Sequence, residues 1–259
     1  MADMANIDQV EDAWEELAQV TDISRIVPIT YMNSSAAIKA FVGRHEGAVC
    51  TSSNARAVLT WALEHGDKVL FFPDQHLGRN TAFDMGFGAD DMRVWNPRLA
   101  LGGLSDTDVK EATHLLWKGH CSVHQRFRPE HVAAFRQEHP EGLVMIHPEC
   151  AHDVVELADL VGSTDHIIRG VAEAPSGSVI GVATEIHLVH RLNSEWPDKT
   201  VVCLDPLVCP CSTMSRIDPP HLAWILEGLV DGTIHNQIQV DADTAEWARV
   251  ALERMLAIT

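Results

Sequence analysis

The chain reads as an α/β protein: repeated three-layer α/β domains with short parallel sheets, related to one another by pseudo-symmetry. Three observations predict this. Short apolar runs of strand length (RIVPITY, GAVC, KVLFF, THLLW, GLVMI, SVIGVA, TVVC) alternate with stretches whose apolar residues recur at helical spacing, the signature of a parallel sheet covered by helices. Each run empties into polar residues, and the crevice outside a parallel sheet's carboxyl edge is where ligand chemistry collects. Landmarks also recur. Tyr31-x-Asn33 matches His147-x-Glu149 at a distance of 116 positions, Ser52 matches Ser163 at 111, and Asp74 matches Thr184 at 110.

In chain order, IDQVEDAWEELAQV places Ile7, Val10, Trp14, Leu17 and Ala18 on one helical face and carboxylates on the other. RIVPITYMN is a buried strand ending at Tyr31 and Asn33, with Ser34 and Ser35 set to cap the helix SAAIKAFVGRH. GAVCTSSNARAVLTWALEHG repeats the plan of strand, hydroxyl residues and helix. KVLFFPDQHLGRNTA is a strand emptying into a loop with Asp74, His76 and Gly78. Residues 84–112, rich in Gly and Asp with little periodicity, are expected to be a surface insertion or linker. THLLWKGHCSVH then gives a strand and turn.

The second half runs helix RPEHVAAFRQEHP, strand GLVMIHPEC, helix AHDVVELADLV, turn GSTD, helix HIIRGVAEA, strand SVIGVATEI, helix HLVHRLNSEWP and strand TVVCLDP. The closing helices are PPHLAWILEGLVDG and TAEWARVALERML. The expected organisation is an N-terminal helix at 1–22, α/β domains at 23–115 and 116–220, and closing helices at 221–259.

Composition narrows the function classes. With 259 residues and 46% hydrophobic content the chain can bury a sizeable core. Its net charge of −18, from 37 acidic against 19 basic residues, opposes binding to nucleic acid or to an anionic membrane, both of which need the other sign. An acidic ligand would need local donors. The acid excess, with five lysines, is also what a surface adapted to high salt would carry. No run approaches eighteen apolar residues and the start, MADMANIDQVEDAWEEL, is acidic, so neither a signal peptide nor a membrane span is expected and a cytoplasmic location follows. Six cysteines outside a secretory context read as thiols or metal ligands.

Candidate chemistry concentrates between Lys118 and Cys150. Cys121, His124, His147 and Glu149 all follow apolar runs. His147 and Glu149 are two apart, so their side chains project the same way, and an imidazole beside a carboxylate binds, positions or shuttles protons. The same pair also suits a plain surface hydrogen bond. Ser52 and Ser163-Thr164 stand at helix starts, where N–H groups and the helix dipole favour a carboxylate or phosphate; simple capping uses the same residues. Cys50 and Cys203 lie in apolar runs as core thiols. Cys121, and Cys211 in VCPCSTM, lie in loops with no apolar role and suit a cluster or metal held between domains.

The motifs YMNSSAAIKA, VCTSSNA, PDQHLG, WKGHCSVH, HPEC, GST, VATE and CPCSTMSRI, in this order, resemble the quinolinate synthase family (NadA) from Met1 to the C-terminal helix. The resemblance implies three similar α/β domains about a pseudo-threefold axis, of which two are present. It implies a [4Fe–4S] enzyme that condenses iminoaspartate with dihydroxyacetone phosphate to quinolinate in NAD biosynthesis, with an L-aspartate oxidase or an aspartate dehydrogenase supplying iminoaspartate. By motif, Cys121 and Cys211 are cluster ligands and Cys209 is a neighbour of the second. Tyr31, Asn33, Ser52, His124, His147, Glu149, Ser163 and Thr164 bind substrate, and Tyr31, His147 and Glu149 are catalytic. The family's first cluster cysteine precedes a segment like MADM, which here opens the sequence. The expectation is a chain lacking the first domain, through a mis-assigned start or as a fragment, with a poorly held cluster and little activity by itself. Two other readings stay open: a metal-binding structural module and a non-catalytic binder of phosphometabolites.

Overall fold

The computed structural model describes residues 1–207 and 210–258. Helix α1 (Ile7–Val20) buries Val10, Ala13 and Leu17 and is capped by Asn6, whose side chain accepts the Gln9 N–H at 2.9 Å. There follow β1 (Ile26–Tyr31), α2 (Ala36–Arg44), β2 (Ala48–Cys50), α3 (Ala55–His65), β3 (Lys68–Phe72), α4 (Gln75–Asp84), β4 (Met92–Trp95), α5 (Asp106–Glu111) and β5 (His114–Trp117). The second half comprises α6 (Pro129–Glu138), β6 (Leu143–Ile146), α7 (His152–Val155), β7 (Leu160–Val161), α8 (Thr164–Glu173), β8 (Val179–Ala183), α9 (Ile186–Glu195) and β9 (Thr200–Cys203). Helices α10 (Pro219–Val230) and α11 (Ala242–Ala257) come last.

Two sheets form, with orders β2-β1-β3-β5-β4 and β7-β6-β8-β9, and every pairing is parallel. Strands β2-β1-β3-β5 and β7-β6-β8-β9 occupy the same places in chain order and in space, which is the expected repeat, with β4 added at one edge. Each sheet is buried on both faces, as parallel sheets must be. In the first, Leu70 and Phe72 pack with α1, α2 and α11, while Val69 and Phe71 pack with α3 and α4. In the second, Val144 and Ile146 pack with α6, while Met145, Ile180 and Val182 pack with α8 and α9. The predicted fold class therefore holds.

Several expectations change. Residues 84–112 are not a linker: β4 pairs with β5 from Met92↔His114 to Trp95↔Trp117, and α5 is capped by Ser105. A four-residue strand between Gly- and Asp-rich flanks is too short to display a period. The Asp74–Gly78 segment is the first turn of α4, capped by the Asp74 carboxylate. The helix expected over AHDVVELADLV is only α7, because the chain turns back to pair Leu160 and Val161 with β6, and Asp159 accepts the Val144 N–H at 2.8 Å. Strand β5 pairs through Trp117, so the first sheet runs past the expected boundary at 115. Helix α1 packs into the first core.

The two final helices part company. Helix α11 lies on α2, so close that a Cβ at Gly43 would come 2.1 Å from the Trp247 carbonyl oxygen. Helix α10 buries only Gly228 and leaves Leu222, Trp224, Leu226 and Leu229 exposed.

His114, at the start of β5, is fully buried, and neither ring nitrogen has a hydrogen-bond partner among the described residues. Burial pushes its pKa down to about 4, against roughly 6.5 for a free imidazole. Between these values the unfolded chain binds the extra proton, so stability falls as pH falls. A His114→Leu variant is expected to lose about 2 kcal/mol less unfolding free energy than the parent between pH 7 and pH 5, measured by urea titration. Equal losses would contradict the assignment.

Candidate active site

The polar residues at the strand ends share one edge of each sheet. Tyr31 ends β1, Ser52 follows β2, Asp74 follows β3, and Cys121 stands four residues after β5. In the second domain His147–Glu149 follow β6, Ser163 follows β7, Thr184 and Glu185 follow β8, and Cys211 lies beyond β9. Parallel strands ending together deliver all these side chains to the same side.

The two edges meet. The Tyr31 hydroxyl, from the first domain, lies within interaction range of Glu149, from the second, and of Ser52. Glu149 Oε2 accepts from His124 Nδ1 at 2.8 Å, and His124 Nε2 lies 3.3 Å from the Thr184 hydroxyl. The His124 and His147 rings stack at 4.5 Å with planes 10° apart. His147 Nδ1 accepts the Glu149 backbone N–H at 3.3 Å, which leaves Nε2 to carry its proton. Ligand atoms of Cys121, His124 and Glu149 all lie within 4.8 Å of one another, close enough to share a metal ion. His124, His147 and Glu149 are buried.

Charge is sorted within this cluster. Burial opposes a charged His124, but its hydrogen bonds with Cys121 and Glu149 outweigh that and raise its pKa, so it is an imidazolium. Burial also opposes ionisation of Glu149, yet His124 holds its pKa low and it is a carboxylate. Burial and the neighbouring His124 charge push His147 down to about 3, keeping it neutral. Burial and the Glu149 charge raise the Tyr31 phenol far above its usual range, so it stays protonated. The arrangement therefore offers a neutral imidazole and a phenol as donors, beside a carboxylate whose charge His124 balances.

Other candidates lie further out. Ser163 is buried, caps α8 by accepting the His166 N–H at 3.3 Å, and lines a cleft of about 510 Å³ together with Ser52, Arg56 and Arg169. Asn33 and Thr164 are exposed, on the turn after β1 and at the first position of α8. Cys209 lies outside the described residues. Cys150 is fully buried with Sγ 3.8 Å from the Ala183 carbonyl, and burial raises its thiol well above the ordinary range. Cys50 is likewise buried and Cys203 half-buried.

Cys121 and Cys211 differ from those thiols. Each opens a turn closed by a hydrogen bond to its own carbonyl, from Gln125 N–H at 3.0 Å and from Ser215 N–H at 2.9 Å. Both pack against the core of the second domain. Burial opposes ionisation of Cys211, but the Thr213 hydroxyl at 3.1 Å and the Thr213 and Met214 N–H groups hold its pKa below the usual thiol range. In chemical type these thiols fit an iron centre. In number they supply two thiolates, and a cluster of the implied kind needs a third.

Sequence reasoning missed Asn80. Its Nδ2 donates to the carbonyls of Pro148 and Cys150, both at 2.8 Å, and its Oδ1 accepts from His152 Nδ1 at 2.9 Å, while Phe83 stacks on His152 at 3.9 Å. Helix α4 of the first domain thereby clamps the His-Pro-Glu-Cys loop of the second. Thr184 was noted only as a landmark. Pairing DQHL at 74–77 with EIHL at 185–188, an offset of 111 that Ser52 and Ser163 share, would have pointed to Glu185 in place of Thr184 as the partner of Asp74.

Residues 1–257 match the family model described as quinolinate synthetase A protein. Curated relatives named quinolinate synthase include those of Rhodopirellula baltica, 53% identical over 259 residues, and Corynebacterium glutamicum, 55% identical over 258 residues; in both the match covers 100% of this chain and 66% of the relative. The Herpetosiphon aurantiacus relative is 54% identical, with 100% of this chain and 70% of the relative covered. The chain thus spans about two thirds of the length of the relatives it matches.

Replacing Asn80 by Ala removes both donors to the 148–150 loop. A buried group left unsatisfied costs about 1–3 kcal/mol, so Asn80→Ala is expected to destabilise by about that amount, measured by urea unfolding. An unchanged midpoint would mean the clamp does not hold the loop.

Proposed function

This chain belongs to the quinolinate synthetase A family, and on that premise we propose that the paired domain edges are a quinolinate synthase site, joining iminoaspartate to dihydroxyacetone phosphate. The observation that carries the reading is the contact chain Ser52–Tyr31–Glu149–His124–Cys121, which draws on both domains. Joining a four-carbon imino diacid to a triose phosphate and closing a pyridine ring expels inorganic phosphate and water. Each departure needs a positioned proton donor, and each C–H proton lost needs a base.

The residues suit those tasks. Tyr31 and His147 Nε2 donate hydrogen bonds to substrate oxygens, and the Glu149 carboxylate takes a proton when His124 orients it. The hydroxyls of Ser52 and Ser163, at the positive ends of α3 and α8, meet the acidic groups of substrate in a chain that is otherwise strongly negative. Asn33 and Thr164 are assigned to substrate contact from the motif alone. Cys121 and Cys211 would hold a [4Fe–4S] cluster, with a further thiolate completing the set. When bound, such a cluster supplies an open iron that polarises substrate oxygens. Iminoaspartate would come from an oxidase or dehydrogenase acting on L-aspartate. Among the described residues no helix is long and apolar enough to cross a membrane.

A second reading has its own support in the two loop thiols and in the Ser163 helix start. On that reading this chain alone binds metal and phosphometabolite without turnover.

The test is anaerobic reconstitution with ferrous iron and sulfide, followed by assays of iron content and of quinolinate formed from the two substrates. The proposal expects Cys121→Ser and Cys211→Ser each to lower bound iron, and His147→Asn to keep iron while slowing turnover by about 10²-fold, the usual worth of an acid–base group. Full turnover in His147→Asn would contradict it. Iron binding with a thermal shift from dihydroxyacetone phosphate but no quinolinate would establish the second reading.

A further inference from the structure

The acids that follow the third strand of each sheet perform the same two tasks. Asp74 caps α4, its Oδ1 accepting the N–H groups of His76 at 2.8 Å and Leu77 at 2.9 Å. Its other oxygen, Oδ2, accepts the backbone N–H of Cys121 at 3.0 Å. Glu185 caps α9, with Oε2 accepting the His187 N–H at 2.8 Å, and its Oε1 accepts the backbone N–H of Cys211 at 3.3 Å. One carboxylate oxygen serves the helix and the other serves a cysteine, in both domains.

The sequence repeats at both ends of this contact. DQHL at 74–77 recurs as EIHL at 185–188, and C-S-x-x-x-R-hydrophobic-x-P beginning at Cys121 recurs at Cys211. The two acids reach their cysteines across 47 and 26 residues, so neither contact is a consequence of local chain geometry. In the first domain the approach is braced further. Gln75 N–H bonds the Gly119 carbonyl at 3.0 Å, and a Cβ at Gly119 would come 2.1 Å from the Pro73 carbonyl oxygen, so only glycine lets the two loops lie this close. Asp74 is fully buried and Glu185 nearly so, and neither is needed at these depths for capping alone, which Ser, Thr or Asn perform on surfaces throughout proteins.

We propose that Asp74 and Glu185 are paired positioning residues that hold the backbone amides of Cys121 and Cys211, and so fix the direction in which the two thiols face the shared edge. A cysteine whose amide is held has its Cα–Cβ bond fixed relative to the sheet, leaving χ1 as its main freedom. Two sulfurs fixed in this way meet a metal centre without first paying to order their loops, the advantage of any preorganised site. The inference rests on Cys121 and Cys211 being the metal-binding thiols of the reading above.

Asp74→Asn and Glu185→Gln separate the two tasks. An amide keeps one oxygen, which can still cap the helix, but it turns an NH₂ toward the cysteine N–H, where two donors repel. Residue-resolved amide exchange of the metal-free chain is the first readout. Asp74→Asn is expected to speed exchange at Cys121 at least tenfold while leaving His76 and Leu77 protected; Glu185→Gln is expected to do the same at Cys211 with His187 protected. Asp74→Ala, which loses the cap as well, is expected to expose all three amides.

The second readout is iron bound after anaerobic reconstitution, expected to fall at least twofold in each amide variant. Unchanged exchange at the cysteine amide, or a freed amide with iron equal to the parent, would overturn the proposal. Iron retained by Cys121→Ser and Cys211→Ser, or no iron in the parent, would sink the functional reading instead, and amide exchange alone would then decide this one.

Discussion

A charged pair buried between two domains organises this molecule. His124 and Glu149 are both removed from water, a placement that penalises each ion by several kcal/mol unless geometry and further hydrogen bonds repay it. Here they do. Nδ1 meets the carboxylate at 2.8 Å, Nε2 meets the Thr184 hydroxyl, and Tyr31 reaches the same carboxylate from the other domain. Removing one partner would strand the other charge, which is why the loops after β1, β5, β6 and β8 must all arrive together. The pair is also what divides the stacked imidazoles into one charged and one neutral.

Pseudo-symmetry explains how so many side chains converge. Each sheet presents its strand ends to one side, and the repeated order of strands puts equivalent residues at equivalent places. Ser52 lies in the turn before α3 and Ser163 caps α8, Asp74 and Glu185 cap α4 and α9, and Cys121 and Cys211 open matching turns. The differences between the repeats carry the chemistry. Where the first domain ends its leading strand with a phenol, the second offers an imidazole and a carboxylate; where the second cysteine turn has Met214, the first has His124.

Much of this was legible in the sequence because it rests on local pattern. Strong apolar runs located seven of the nine described strands to within a few residues; β7 lies inside a segment read as helix, and Ser35 and Ser163 were readable as caps. Strand β4 was not, since MRVW is four residues long and buries only Met92 and Trp95. Nor was the return of α11 to α2, because an amphipathic helix does not state which surface it covers. At the site, the resemblance pointed to Tyr31, Ser52, His124, His147 and Glu149, which lie together, and also to Asn33 and Thr164, which are exposed away from them. Asn80 was not found, since its role depends on carbonyls 68 and 70 residues away, and a mid-helix asparagine carries no mark of that.

The shared edge holds an imidazolium against a carboxylate with a neutral imidazole stacked beside it. Nitrogen-15 shifts of the His124 and His147 rings, followed from pH 5 to pH 8, test it most directly. His124 is expected to stay doubly protonated and His147 to stay neutral, with its proton on Nε2, over that whole range. Both rings titrating together near the free imidazole value would contradict it.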